Sequence, residues 1–400
     1  MTGRLSEIVA GAAIKRLSAV EARPERSNQH EINGVKPLKE IFGEARQTLP
    51  ARFLYLSEED VASDTEADTG FVTWYDSREE HATRSEFRLY FPTTQASSRL
   101  SEGDVAAIVR LADGDVLVAF AAQGSTAEHQ LRWLFGLLGQ NQSLAVADFR
   151  KDDKELGFAV RNVLAQLGVD LASAEPTDDS VLETLLARFG SRFPRTDEFS
   201  AFSRQATADV DPVADPDGTL IAWLEHEEAL FRLLERHLVL DRLRSGFADD
   251  VDAFVSFSLS VQNRRKSRVG WALEHHVRAI LDAHRLPYSH ASTTERASKP
   301  DFLFPSVSAY RDAAYPSEKL AMLAVKSTCK DRWRQVLAEA DRIPHKHLLT
   351  LEAGISIPQT TEMAARALTL VVPTEIQASY SPAQRATLLT VSSFIAELRR

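Results

Sequence analysis

Short apolar runs and helical repeats divide the chain into three stretches. These are a strand-rich first third, a polar middle, and a C-terminal part where strands and helices alternate. Runs at 51–56, 70–75, 86–91 and 115–120 are rich in β-branched and aromatic residues, and Gly, Pro or polar turns separate them. A further run at 106–111 reads as another strand, and 14–19 as a strand or a short helix. Residues 34–42 read as a turn into a short helix, and 126–138 has helical spacing. Roughly the first 140 residues are therefore expected to form a mostly β barrel or sandwich with short helices.

The middle is more polar. A charge cluster occupies 149–155, and a helix over 160–168 ends at Gly168. Two acidic, Pro- or Ser-containing stretches at 172–180 and 206–218 read as linkers, so a hinge is expected within 170–215. The short unit at 181–204 is expected to pack on one neighbour. Helical spacing then runs over 220–235, 250–262 and 271–281, interrupted by the basic run Asn263-Arg-Arg-Lys-Ser-Arg268. Beyond it the pattern alternates: strands at 301–304, 320–326, 347–351 and 368–372, helices at 331–342, 359–367 and 382–398. That is an α/β layer, a mixed sheet with helices on its faces.

Composition narrows the class. The chain has 400 residues, 44% apolar and 26% charged, enough for two or three globular domains. No apolar run approaches the roughly 20 residues of a membrane span, and the N-terminus carries no signal-peptide pattern. The single cysteine, Cys329, excludes a disulfide framework and a cysteine-rich zinc site, and it fits a reducing cytoplasm. The net charge of −10 argues against a surface coated in nucleic acid. It leaves room for a local basic cleft, because phosphate attraction is set within about a Debye length, roughly 8–10 Å.

Candidate chemistry concentrates near the strands at 301–304 and 320–326. Asp301 opens the first, Lys326 ends the second, and Glu339 follows on the expected helix. Two acids and a lysine from such positions can hold a divalent metal beside a phosphodiester, with the lysine orienting water and offsetting charge. By spacing alone, chance co-occurrence of three common residues remains the commoner explanation. The basic run Arg264, Arg265, Lys266 and Arg268 reads either as phosphate contacts or as a solvated loop. In the first third, Arg84, Glu86 and Arg88 share one face of an expected strand. They read as base contacts or, more readily, as cross-strand ion pairs.

Longer motifs add a resemblance. Asn263–Arg268, Lys299-Pro-Asp-Phe-Leu-Phe-Pro-Ser306 with Ala309-Tyr310, and Met322-Leu-Ala-Val-Lys-Ser-Thr-Cys-Lys-Asp-Arg-Trp-Arg-Gln335 closely resemble the C-terminal half of the EcoRII family of type IIE restriction endonucleases. The likeness is strong over 219–400. It is weaker at 14–19, Tyr75-Asp-Ser-Arg78 and Thr83-Arg-Ser-Glu86. It implies an α+β multidomain protein. A B3-like β-barrel over 1–170 would bind effector DNA, 171–215 would be a linker or hinge, and 216–400 would carry a PD-(D/E)xK nuclease fold.

The resemblance further implies a homodimer that needs Mg²⁺ and cuts double-stranded DNA at a CC/GG-core palindrome such as CCWGG, leaving 5′-phosphates. The N-terminal domain would restrain cleavage, and a cognate cytosine methyltransferase would belong to the same system. Carried onto this chain, Asp301, Glu339 and the Val325 carbonyl would hold the metal, and Lys326 would be the catalytic lysine. Tyr310 and Arg268 would touch phosphate. Lys330, Asp331, Arg332 and Arg334 would lie at the base-reading segment, and His30, Arg78, Arg84, Glu86 and Arg88 would line the effector cleft. The chain departs from the family at 222–225, where Trp223 reads as a core residue or a stacking platform for an extruded base, and at Phe87. The alternative to an enzyme is a nuclease-like protein kept only for DNA binding.

Overall fold

The computed structural model describes residues 3–23, 30–33, 35–57, 67–81, 83–139, 143–147, 149, 156–169, 179–329 and 332–399. The chain separates into two compact units. One is Met1–Leu171 with Ala353–Thr360, and the other is Ala172–Glu352 with Thr361–Arg400.

In the first unit eight strands form one sheet: β1 (Val9–Arg16), β2 (His30–Ile32), β3 (Gln47–Leu56), β4 (Asp68–Asp76), β5 (Phe87–Phe91), β6 (Val105–Leu111), β7 (Val116–Ala121) and β8 (Leu144–Ala147). Their order is β2-β5-β4-β3-β7-β6-β1-β8, with β3 and β7 parallel and the other pairs antiparallel. Alternate residues turn to one side. Ile32, Phe53, Val72, Trp74, Leu89, Phe91, Ile108, Val118 and Phe120 meet there in a single buried cluster. The sheet curls around that cluster, but no pairing joins β2 to β8 among the described residues, so the expected barrel is open. Its edge strands are only three and four residues long. Val9–Arg16, read ambiguously from 14–19, is a full strand between β6 and β8.

The second unit begins with helices. The segment read as a hinge contains α1 (Asp179–Phe189) and α2 (Thr196–Ala206), followed by α3 (Pro216–Ser245) and α4 (Val251–Ala283). Leu185, Phe199, Leu230, Phe231 and Leu234 join in one buried cluster, with Phe189, Phe193 and Phe202 against it. The acidic flanks at 172–180 and 206–218 read as linkers, and the unit between them is expected to pack on one neighbour. The apolar residues between them have a helix-face spacing, and burying that face orders the segment.

The 250–262 and 271–281 segments are one helix, so the basic run lies mid-helix rather than at a helix entry. The chain then builds the sheet β13-β12-β11-β10-β9 from β9 (Ser289–His290), β10 (Phe302–Phe304), β11 (Ala321–Lys326), β12 (Lys346–Thr350) and β13 (Leu368–Val371). β9, β10 and β11 run antiparallel, and β11, β12 and β13 parallel. The helix expected over 382–398 is two, Pro382–Arg385 and Val391–Leu398. Leu389 leaves helical geometry to bridge Val371 beside β13, and Thr390 caps the second helix through the Ser393 N–H. No helix among the described residues is long and apolar enough to cross a membrane.

Asp217, in the first turn of α3, ties distant backbone together. Its buried carboxylate accepts N–H groups from Thr374 (3.2 Å), Val391 (3.0 Å) and Ser392 (2.9 Å). Burial raises its pKa, against the lowering effect of those bonds. Asp217→Ala leaves three donors without their acceptor and should cost about 3 kcal/mol, measurable by urea unfolding. An unchanged midpoint would show that water replaces the carboxylate.

Candidate active site

The centre of β11 is apolar on both faces: Met322, Leu323, Ala324 and Val325 are all buried, as expected for an inner strand. Its antiparallel register with β10 places Phe302 opposite Leu323, which brings Asp301 alongside Val325 and Lys326. Asp301 Oδ2 accepts the Val325 N–H at 2.7 Å and the Lys326 ammonium at 2.8 Å. Both side chains remain partly exposed. The chain after Lys326 is anchored where the Cys329 N–H donates to the buried Glu352 carboxylate.

Glu339 completes the group from a different element than expected. In place of a helix over 331–342 there is one turn, α6, counting Val307–Arg311 as α5; α6 spans Trp333–Val336. Trp333 and Val336 are buried, and the chain bends after them. Glu339 sits in that bend, with its N–H on the Val336 carbonyl at 3.1 Å. Its Oε2 is buried and has no hydrogen-bond partner among the described residues. Burial pushes the Glu339 carboxyl up to about 7. The Lys326 charge opposes the shift, Asp301 adds to it, and Lys346 opposes it. Glu339 thus lies within electrostatic reach of Asp301 and Lys326.

Among the described residues no three His, Cys, Asp or Glu side chains converge as a metal cluster. Two carboxylates and a backbone carbonyl nonetheless suit a hard divalent ion that retains water ligands. The orphaned Glu339 oxygen is the observation that fits such a ligand. Asp301, Glu339 and the Val325 carbonyl are the donors that would hold it.

Tyr310 is not free to touch phosphate. It is buried, and its hydroxyl donates to Glu295 Oε1 (2.8 Å) and Oε2 (2.6 Å) and accepts the Arg342 N–H (3.3 Å). Burial, then Glu295, pushes its pKa up to about 12. Arg342 also spans to the carbonyls of Asp312 and Tyr315, both at 2.9 Å. Tyr310 is thus a post for the chain that follows Glu339. Sequence spacing gave no sign of Glu295 or Arg342 in this role, because the groups they hold are brought near only by folding.

The basic run is largely consumed by helix packing. Arg268 is buried, paired with Glu228, 3.7 Å from Glu227 and 4.4 Å over the Phe231 ring; burial lowers its pKa to about 10. Arg265 pairs with Glu235 at 2.6 Å, and Arg264 lies 3.8 Å over Phe193. Glu227, Glu228 and Glu235 on α3 were the available signal, an acidic stripe matching the basic one on antiparallel α4. The side chain of Lys266 lies outside the described residues, as do Lys330 and Asp331. Arg332 is exposed, 3.2 Å from Thr328 Oγ1, while Arg334 pairs with Glu362 at 3.1 Å and stacks on Trp333. Trp223 is buried near His276, a core position.

In the first unit, β5 starts at Phe87, so Arg84 stands in an exposed loop and shares no strand face with Glu86 and Arg88. Glu86 pairs with Arg78 (2.6 Å) and Arg88 (3.0 Å), and Arg88 also pairs with Glu31 (2.8 Å). His30 faces the other way. It pairs in register with Phe91, is buried, and stacks on that ring at 4.9 Å. Burial lowers its pKa. The structure therefore assembles Arg78, Glu86 and Arg88 and separates His30 and Arg84 from them.

Residues 231–395, which contain Asp301, Lys326 and Glu339, match the family model described as EcoRII C terminal. Over 208 residues the chain is 46% identical to the type II restriction enzyme EcoRII of Escherichia coli, covering 52% of this chain and 51% of that protein. The chain thus spans about half the length of the curated relative it matches. Among solved structures it is similar to metal-depleted Ecl18kI in complex with uncleaved, modified DNA (TM-score 0.44, 17% identity, 56% of this chain and 83% of that chain). It is also similar to a restriction endonuclease PspGI–substrate DNA complex (TM-score 0.39, 17% identity, 56% and 92%). The resemblance to the EcoRII family read from the sequence holds for the part matched.

An acid with a raised folded-state pKa binds its proton more tightly when folded. Its contribution favours folding below about 4.5 and is lost as pH rises toward about 7. In metal-free protein the wild type should therefore lose stability relative to Glu339→Gln across this window, read from urea midpoints. Parallel pH curves would refute the buried placement of Glu339.

Proposed function

We propose that this chain, whose residues 231–395 carry an EcoRII C-terminal domain, is a metal-dependent, sequence-specific endonuclease of double-stranded DNA. The observation that carries the reading is the Asp301–Lys326 pair at 2.8 Å, with the buried Glu339 carboxylate within electrostatic reach of both. An acid and a lysine from two strand ends meet there, which core packing alone does not require. A divalent ion, Mg²⁺ in this reading, would be held by Asp301, Glu339 and the Val325 carbonyl and would supply polarisation of the scissile phosphate when bound. Lys326 would hand its hydrogen bond from Asp301 to the attacking water and offset charge on the phosphate, leaving a 5′-phosphate and a 3′-hydroxyl.

Base reading is assigned to Arg332 and Arg334, with Asp331, a few residues beyond Lys326. Arginine can bond bidentately to guanine, and aspartate can accept from a cytosine amino group, as a CC/GG palindrome such as CCWGG requires. Arg334 must leave Glu362 to do so. A palindrome calls for two copies, and Val251, Phe254, Val255 and Leu259 expose an apolar face on α4 suited to such pairing. The first unit would be the B3-like domain that binds a second, effector copy of the site and regulates cleavage, as in a type IIE enzyme. Domain limits of 1–170, 171–215 and 216–400 and a cytoplasmic location belong to the same proposal, as does a partner cytosine methyltransferase in one restriction–modification system. Arg78 and Arg88 would have to exchange Glu86 and Glu31 for DNA.

Asp301→Ala or Lys326→Ala should reduce plasmid cleavage in Mg²⁺ by about 10³-fold while a gel-shift assay shows DNA binding intact. Retained cleavage in either variant would sink the site, and binding without cleavage by the wild type would favour a DNA-binding protein. Arg332→Ala should relax discrimination at one base pair by roughly 1–3 kcal/mol, read by sequencing the cut ends.

A further inference from the structure

Lys346 opens β12 and is buried, yet it belongs to no part of the chemistry described above. Its ammonium donates to the Ile343 carbonyl at 2.9 Å and reaches the Ala340 carbonyl at 3.5 Å. Both carbonyls belong to the short turn that follows Glu339. Ala340 is buried with φ +49°, a left-handed conformation that costs a non-glycine residue about 1 kcal/mol or more. Such a conformation persists only where its surroundings hold it. The turn closes through the Ile343 N–H on the Ala340 carbonyl at 2.9 Å, so Lys346 binds both ends of that loop. Its outer side is held by Arg342 on the Tyr310–Tyr315 segment.

We infer that Lys346 is a positioning residue: by clamping the Ala340–Ile343 turn it presents the Glu339 carboxylate to the space beside Asp301 and Lys326. Without the clamp, Ala340 relaxes toward ordinary backbone geometry and Glu339 swings off the shared site. A buried lysine whose ammonium is spent on two carbonyls of one turn differs from an anion-binding lysine, because it acts through another residue. The inference rests on Glu339 being a metal donor, as proposed above.

The test uses the full chain without DNA. Hydrogen–deuterium exchange on metal-free Lys346→Met should show the peptide over 337–343 exchanging about tenfold faster, with β10 and β11 unchanged. The Mg²⁺ concentration at half-maximal thermal shift should rise about tenfold, as for other residues that orient a metal ligand. Lys346→Arg, which can still donate to both carbonyls, should stay within about threefold of wild type. In a Glu339→Gln background, Lys346→Met should move the Mg²⁺ midpoint by less than about twofold, since the two changes act through one group. If Lys346→Met fails to fold, Lys346→Leu, which likewise cannot donate to the two carbonyls, carries the same comparison. Unchanged exchange in 337–343, or a midpoint shift that persists in full without Glu339, overturns the inference. A wild type that binds Mg²⁺ but leaves plasmid intact would instead overturn the endonuclease reading. A wild type with no Mg²⁺ response would overturn the metal site and leave the exchange result to decide the role of Lys346.

Discussion

The antiparallel register of β10 against β11 is the constraint on which the site depends. It sets Asp301 where the Val325 N–H and the Lys326 ammonium both reach one carboxylate oxygen. A slip of one residue would send Lys326 to the other face of the sheet. What prevents the slip is burial: Phe302, Leu303 and Phe304 on one strand and Met322 to Val325 on the other are enclosed on both faces. The polar pair therefore stands at the end of an apolar pairing, held by hydrophobic burial more than by its own attraction. A partly exposed ion pair contributes about 1 kcal/mol or less, too little to set a register.

Glu339 is held by different means. Its turn carries a strained Ala340, an Arg342 side chain spread over three carbonyls and a buried Lys346 beneath. The carboxylate pays for this placement with an oxygen that has no hydrogen-bond partner among the described residues and a pKa near 7. Such a group is costly in a resting fold and becomes useful when a cation or proton arrives.

Charges that stand out along the chain are spent inside the fold in two places. Arg264, Arg265 and Arg268 form the densest basic run, yet α3 presents Glu227, Glu228 and Glu235 and the aromatic faces of α4's neighbours absorb the rest. In the first unit Arg78, Glu86 and Arg88 meet in an ion-pair chain that continues to Glu31. Linear sequence displays a charge but not its partner when the partner lies on another element. His30 is buried because strand alternation beside Phe91 turns it inward, a fact set by the register of β2 on β5.

The sequence by itself determined the sheet of the second unit almost strand for strand. Most of its strands are short, largely apolar and bounded by turns, and that local pattern suffices. It also singled out Asp301 and Lys326, because each stands at the polar end of such a strand, and Glu339 on the segment that follows. Tertiary structure alone decided that Glu339 hangs from a strained turn rather than a helix, that Tyr310 is a post, and that 179–206 packs as two helices. Among the described residues, no pairing joins the short edge strands of the first sheet, β2 and β8. The division has a physical cause. Periodicity records which side of an element meets apolar surroundings, whereas the partner of a buried charge or a strained turn lies far along the chain and appears only once the chain has folded.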